Sequence, residues 1–138
     1  MSPLIRNTIA IVAGAVVGLA AIMVAQFVNA SIFPAPAGVD VTTPAGMAQA
    51  VSRMPTGAFI GLVVGYLVAT TAGAYVAARL AATRHRLVAS LVAAVFVAGG
   101  IANFMMIPHP TWVPIASMLA FLLAPVIALR LAGKPVTS

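Results

Sequence analysis

The chain contains no cysteine and a single acidic side chain, that of Asp40. The first absence excludes disulfides, thiolate metal sites and a cysteine nucleophile. The second excludes hydrolysis by paired carboxylates, and no motif around the serines supports a catalytic triad. An integral membrane enzyme would need a metal or cofactor that no motif in the sequence places. We therefore expect no enzymatic activity and no bound cofactor or metal.

Charge is scarce in general, at 6% of residues, whereas 63% of the residues are hydrophobic. A soluble domain of this size needs much more polar surface, so the composition indicates an integral membrane protein. The net charge of +6 does not predict nucleic-acid binding, because the basic residues are few and scattered. We expect them to set the topology and to contact anionic lipids.

Four apolar stretches, at about 5–33, 55–80, 87–107 and 112–131, contain no charged residue except an arginine near one end of three of them, and each approaches or exceeds the length that crosses a bilayer as a helix. Backbone groups in hydrocarbon must bond internally, so helix is expected throughout. The first stretch is too long for the apolar region of a signal peptide. The sequence thus predicts one transmembrane domain over residues 1–138, an all-α integral membrane four-helix bundle.

The basic residues are distributed unevenly about the predicted spans. Only Arg53 falls on one side, and the membrane interior contains no charged residue, so voltage sensing and proton coupling lack their usual residues. The asymmetry predicts a multi-pass protein with both termini in the cytoplasm. Six of the seven basic residues are expected on the cytoplasmic side: Arg6, Arg79, Arg84, Arg86, Arg130 and Lys134.

The loop at 34–54 is the one sizeable segment outside the predicted spans. Thr43 is a suitable N-cap and Pro44 suits the first helical position. The apolar residues that follow share one helical face, which predicts a short amphipathic helix on the outer surface between spans 1 and 2. These residues are Met47, Ala50, Val51 and Met54.

A ladder of small residues occupies every fourth position of the second span. This spacing allows two helix backbones to approach closely in lipid. Four residues overshoot one helical turn by about 40°, so the stripe rotates and should face two partners. We expect Gly14 and Gly18 of the first span to pack near Gly73. The far end, Gly57 and Gly61, is left for the third span, the fourth span or another protein. The predicted helix-packing residues are Gly14, Gly18, Gly57, Gly61, Gly65 and Gly73.

Polar side chains gather toward the outer ends of the spans. These residues could converge, with Asp40 and Arg53, to bind a small polar ligand or a lipid headgroup. The alternative, which we favour, is that the amides form hydrogen bonds between helices. Met105 and Met106 beside a histidine permit copper(I), but methionine is more often a gap filler. The possible outer polar cluster comprises Gln26, Asn29, Asn103 and His109.

The stretches at 34–38, 54–59 and 101–112 resemble a group of small uncharacterised bacterial membrane proteins with four spans. The resemblance implies a four-helix fold and a bacterial inner membrane, and it implies no activity. Its most specific part is an Asn-x3-Ile-Pro-His-Pro-x-Trp stretch, formed here by Asn103, Ile107, Pro108, His109, Pro110 and Trp112.

Two functions remain open. The first is a structural or accessory protein that packs into a homo-oligomer or a larger membrane complex, for example a respiratory or photosynthetic one. The small-residue ladder and the lack of catalytic residues favour it. The second is a small channel or transporter for an uncharged or lipophilic solute. It requires a cavity that runs between the helices toward Thr70 and Thr71, near the middle of the second span.

Overall fold

In the computed structural model, which describes residues 1–137, the secondary structure is entirely helical. Within this range, four helices are long and apolar enough to cross a membrane, and one short helix lies between the first two of them. The predicted fold class, an all-α multi-pass membrane protein with a short helix between spans 1 and 2, is confirmed. The helices are α1 (Pro3–Ile32), α2 (Pro44–Arg53), α3 (Thr56–Leu80), α4 (His85–Met106) and α5 (Trp112–Leu131).

The short helix α2 begins at the predicted residue. The Thr43 side chain accepts a hydrogen bond from the Gly46 N–H at 3.1 Å, and Pro44 occupies the first turn. This cap satisfies one of the backbone N–H groups that a helix start leaves unpaired. The N-terminus of α2 is therefore fixed by local chemistry, without help from the bundle.

Helix α3 is the centre of the bundle and packs against α1, α4 and α5. Its interface with α1 is the most extensive, and the two helices are antiparallel, since Arg6 near the start of α1 donates to the Leu80 carbonyl at the end of α3. We call the end of the bundle that carries Arg6, Arg79 and Arg84 the arginine end, and the opposite end, where α2 lies, the α2 end.

At the arginine end, Asn7 ties α1 to the loop between α3 and α4. Its amide oxygen accepts from the backbone N–H groups of Ala82 and Thr83 at 2.9 and 3.3 Å. Its amide nitrogen donates to the Thr83 hydroxyl at 3.1 Å. One side chain thus satisfies two backbone N–H groups of the loop that follows α3. This contact has no signal in the sequence pattern.

Next to this contact, α1 and α3 touch backbone to backbone. A methyl group added at Gly14 would lie 2.5 Å from the Gly73 carbonyl oxygen, and one added at Gly73 would lie 2.5 Å from the Gly14 carbonyl oxygen. Gly18 is restricted mainly by a side chain, because an added Cβ would lie 2.5 Å from the end of the Phe96 ring of α4. Only glycine fits at these three positions without movement of the neighbours.

Toward the α2 end, α1 keeps its contact with the ladder by means of longer side chains. The predicted second partner for Gly57 and Gly61 is therefore wrong, because α1 itself covers both. The successive contacts are Ala25 at Gly65, the Asn29 amide at Gly61 and the Phe33 ring at Gly57.

Candidate binding cleft

A cleft of about 840 Å³ opens between α1 and α4 in the half of the bundle nearest α2. Helix α3 forms its floor and α2 lies across its top. Its volume is in the range of sites that hold one drug-sized molecule. Along α1 it extends from Ala15 to Ala30, which is about 22 Å of helix.

The cleft opens beyond the point where α1 and α4 meet. Gly18, at the middle of α1, receives the Phe96 ring there and brings the two helices together. One turn further along α4, Gly99 borders the cleft, and a methyl group added to it would have no neighbouring atom within 4 Å, so no side chain fills the gap. The next residue, Gly100, also borders the cleft, but the Phe121 ring of α5 packs against it.

The sides of the cleft are apolar and face outward from the bundle. Val16 and Leu19 of α1 and Val95 of α4 border it, and more than half of each side chain is exposed in the isolated chain. The cleft is therefore open sideways between α1 and α4, through apolar side chains, in addition to its polar end beneath α2.

All four residues of the possible outer polar cluster border this one cleft, at its α2 end. Gln26 and Asn29 stand on α1, Asn103 on α4, and His109 in the turn before α5. Two further residues that the sequence suggested as members, Asp40 and Arg53, are exposed and do not border the cleft. The polar groups of the cluster that meet here are therefore amides and an imidazole, without a carboxylate or a guanidinium.

Tyr66 is the member of this polar group that sequence reasoning missed. It is buried, and its hydroxyl accepts a hydrogen bond from the Asn103 amide nitrogen at 3.2 Å. Because that bond uses only an oxygen lone pair, the hydroxyl hydrogen stays free to donate, and no acceptor for it lies within residues 1–137. Tyr66 starts near the middle of α3, yet side chains in helices tilt toward the helix N-terminus, which brings its hydroxyl toward the α2 end.

His109 is held by its own turn. Its Nδ1 atom lies 2.8 Å from the Ile107 carbonyl oxygen, which can only accept, so Nδ1 carries the hydrogen and the neutral ring leaves Nε2 as an acceptor. Phe59 and Phe104 meet the ring edge to face at 6.2 and 5.2 Å between centroids. The imidazole is therefore fixed in orientation on the wall of the cleft.

The two amides of α1 differ in their roles. Asn29 donates to the Ala58 carbonyl at 3.0 Å and places its amide oxygen against Gly61, so it joins α1 to α3. This is the interhelical bonding that we favour for these residues. Gln26 is half-buried and forms no hydrogen bond with any residue of 1–137. Its amide donors and its acceptor are available to a molecule in the cleft.

Several residues considered from the sequence lie elsewhere. Thr70 and Thr71 do not border the cleft, and their buried hydroxyl groups have no hydrogen-bond partner in the part of the chain that the structure describes. Met105 and Met106 are exposed and also lie outside the cleft, so they do not join His109 as copper ligands there. The cleft stops short of the tightly packed arginine end.

No family model matches the sequence, and searches of the curated proteins and of the solved structures found no match either. The interpretation of the cleft therefore depends on its own geometry and chemistry.

Proposed function

We propose that this protein is a small, non-catalytic membrane protein that binds one uncharged, lipophilic molecule from the surrounding bilayer. The observation that carries the proposal is the cleft between α1 and α4, which opens sideways through apolar side chains. No lysine, arginine, aspartate or glutamate borders it in the described residues. A charged group would lose its hydration there without gaining a counter-ion, which is costly in a membrane.

The packing of the arginine end favours binding over conduction. Gly14 and Gly73 are in direct backbone contact below the cleft, so a continuous path would require the helices to separate. Of the channel or transporter hypothesis, this packing supports only the binding of the solute. The molecule would enter and leave through the cleft, without crossing the arginine end.

We further propose that the cleft lies in the outer half of a bacterial inner membrane. The arginines favour a cytoplasmic position for the arginine end and for both termini, where they would contact anionic lipids. The likeness of the 103–112 stretch to small bacterial four-span proteins supports the choice of membrane.

Native mass spectrometry of the protein extracted in a mild detergent tests the binding proposal. We expect one co-purified neutral lipophilic molecule per chain. The variant Gly99→Leu, which places a side chain in the empty part of the cleft, should lose it. The matched control is Ala94→Leu, at an exposed position of α4 that does not border the cleft, which should retain it. Equal occupancy in both variants would exclude the cleft as the site.

A role as an accessory subunit or homo-oligomer is the second candidate, and the exposure of α1 favours it. Only 17% of the most apolar window of α1 is buried, against 44% in α5. Its free faces offer apolar surface to another membrane protein or to a second copy. Crosslinking in intact membranes from Met23, an exposed residue on α1, tests this role. Crosslinks to lipid alone would count against it.

A further inference from the structure

Within the proposed binding function, we infer that the ligand is a neutral amphiphile with a hydroxyl-bearing head, of the monoacylglycerol type, held with its head toward α2 and its chain toward the bundle centre. This inference rests on the proposed function and specifies the ligand. It follows from the order in which polar and apolar groups occur along the cleft, and from the hydrogen-bonding groups that the protein leaves unused.

The cleft is polar at one end only. Gln26 on α1 and Asn103 on α4 stand on opposite walls near α2. From Gln26 down to Ala15 the α1 wall is apolar, over about 16 Å of helix. On α4, Val95 lies about 12 Å below Asn103. A molecule that matches this order has one polar head and one long apolar part.

The lipids beside the cleft have the same sequence of a polar end near α2 and an apolar part toward the bundle centre. In the leaflet at the α2 end, lipid heads lie level with α2 and chains point toward the bilayer centre. A leaflet amphiphile can therefore pass sideways between Val16 and Val95 without turning over, and its head reaches the amides as its chain enters. A molecule with a polar group at its middle or at both ends would leave a polar group against apolar walls, which is unfavourable.

The unused groups decide the chemistry of the head. The Tyr66 hydroxyl hydrogen and the Gln26 amide nitrogen are donors, and the Asn103 amide oxygen and His109 Nε2 are acceptors. None of these four groups has a partner among residues 1–137. A carbonyl head would satisfy the donors alone, whereas hydroxyl groups both donate and accept. A carboxylate or phosphate would face the two acceptors and find no cation among the described residues of the cleft.

Three probes separate these possibilities in nanodiscs of phosphatidylcholine at pH 8, with the full chain. They are mono-oleoylglycerol, oleate and 1-octadecene, which share a long chain and differ in the head. We expect mono-oleoylglycerol to bind at least about tenfold more tightly than either of the others, because only its head can satisfy both the unused donors and the unused acceptors. Bound fractions are read by native mass spectrometry over a titration of each probe.

The two glutamines of the chain supply a matched pair of variants. Gln26→Leu removes the free amide from the cleft without breaking a bond of the fold, and should weaken mono-oleoylglycerol binding about three- to tenfold. Binding of 1-octadecene should be unchanged. Gln49→Leu makes the same substitution on the exposed side of α2 and should affect neither probe. Tyr66→Phe, which keeps the ring, should act in the same direction as Gln26→Leu.

The outcomes distinguish the inference from the function beneath it. If 1-octadecene or oleate binds as tightly as mono-oleoylglycerol, or if Gln26→Leu has no effect, the inference of a hydroxyl-bearing head is wrong. The proposal of a lipophilic site would still hold. If no probe binds and Gly99→Leu changes nothing, the proposed function itself is wrong.

Discussion

The two halves of the α1–α3 pair use the same four-residue spacing of glycine and reach opposite results. At the arginine end, Gly14 and Gly73 bring the backbones into contact and leave no space. At the α2 end, Gly61 and Gly57 are met by Asn29 and Phe33, and a cleft opens beside them. The difference shows that a small-residue ladder sets only how close a partner can come. What the partner presents decides whether the space is closed.

The largest loss of stability is expected from a substitution at Gly73, in the packed half of the α1–α3 pair. Gly73→Leu should destabilise the protein by about 3 kcal/mol or more, because the added side chain meets the backbone of α1, which cannot rotate away. Thermal or denaturant unfolding in detergent measures this effect. Gly99→Leu, the same change in the open half, should leave the stability within about 0.5 kcal/mol. Similar losses in both variants would remove the distinction between the halves.

The loop contact at the arginine end should have the next largest effect. Asn7→Ala removes three hydrogen bonds, two of them from backbone N–H groups of the loop, and we expect a loss of about 1–2 kcal/mol. Hydrogen exchange at Ala82 and Thr83 should rise as well. Asn7→Asp keeps the acceptor oxygen and should retain slow exchange at both amides. An unchanged exchange rate in Asn7→Ala would show that the loop is held by other contacts.

Within the ladder, the loss of stability caused by one added methyl group should be larger in the packed half than in the open half. Gly73→Ala forces backbone to move, whereas Gly57→Ala meets only the outer edge of the Phe33 ring, which can turn aside. We expect about 1–3 kcal/mol for the first and under about 1 kcal/mol for the second. Phe33→Leu should recover the loss at Gly57 and have no effect on the loss at Gly73. A larger loss for Gly57→Ala than for Gly73→Ala would show that the Phe33 ring does not turn aside.

The smallest expected effect depends on pH and falls only at the α2 end. The Thr42 hydroxyl and the Thr42 backbone N–H both donate hydrogen bonds to the Asp40 carboxylate. These bonds, the hydroxyl's most of all, hold the pKa of Asp40 below its ordinary value of 3.8. The stabilisation of the loop by the ionised Asp40 carboxylate is therefore present above pH 3.8 and is lost as the pH falls through the lowered pKa. Hydrogen exchange at Thr42 and Gly46 should accelerate in acid beyond the intrinsic change. Asp40→Asn should abolish this pH dependence.

Much of the fold follows from the sequence, because long uncharged segments leave helix as the only option in lipid. The cap at Thr43 was also predictable, since it depends on neighbouring residues alone. The coverage of Gly57 by Phe33 was not, because residue spacing describes one helix and says nothing of how far a partner's side chains reach.

The cleft shows the same limit. Its polar residues could be named from the sequence because amides are rare in apolar segments. Tyr66 could not be added, since its Cα lies well below the other polar residues and only the tilt of its side chain brings the hydroxyl to Asn103. The empty space beside Gly99 depends on the divergence of two helices that are far apart in the sequence.

The position of α1 has a consequence for how the protein is made. Most of the surface that α1 packs against belongs to residues 57–83, and the rest to α4, so during synthesis α1 enters the membrane before these contacts exist. It must therefore persist in lipid without these partners until α3 arrives. Its composition suits that interval, because the most apolar 18-residue stretch of α1 has a higher mean hydropathy than the corresponding stretch of any other span. Helix α3, which inserts beside a partner already in place, has the lowest value.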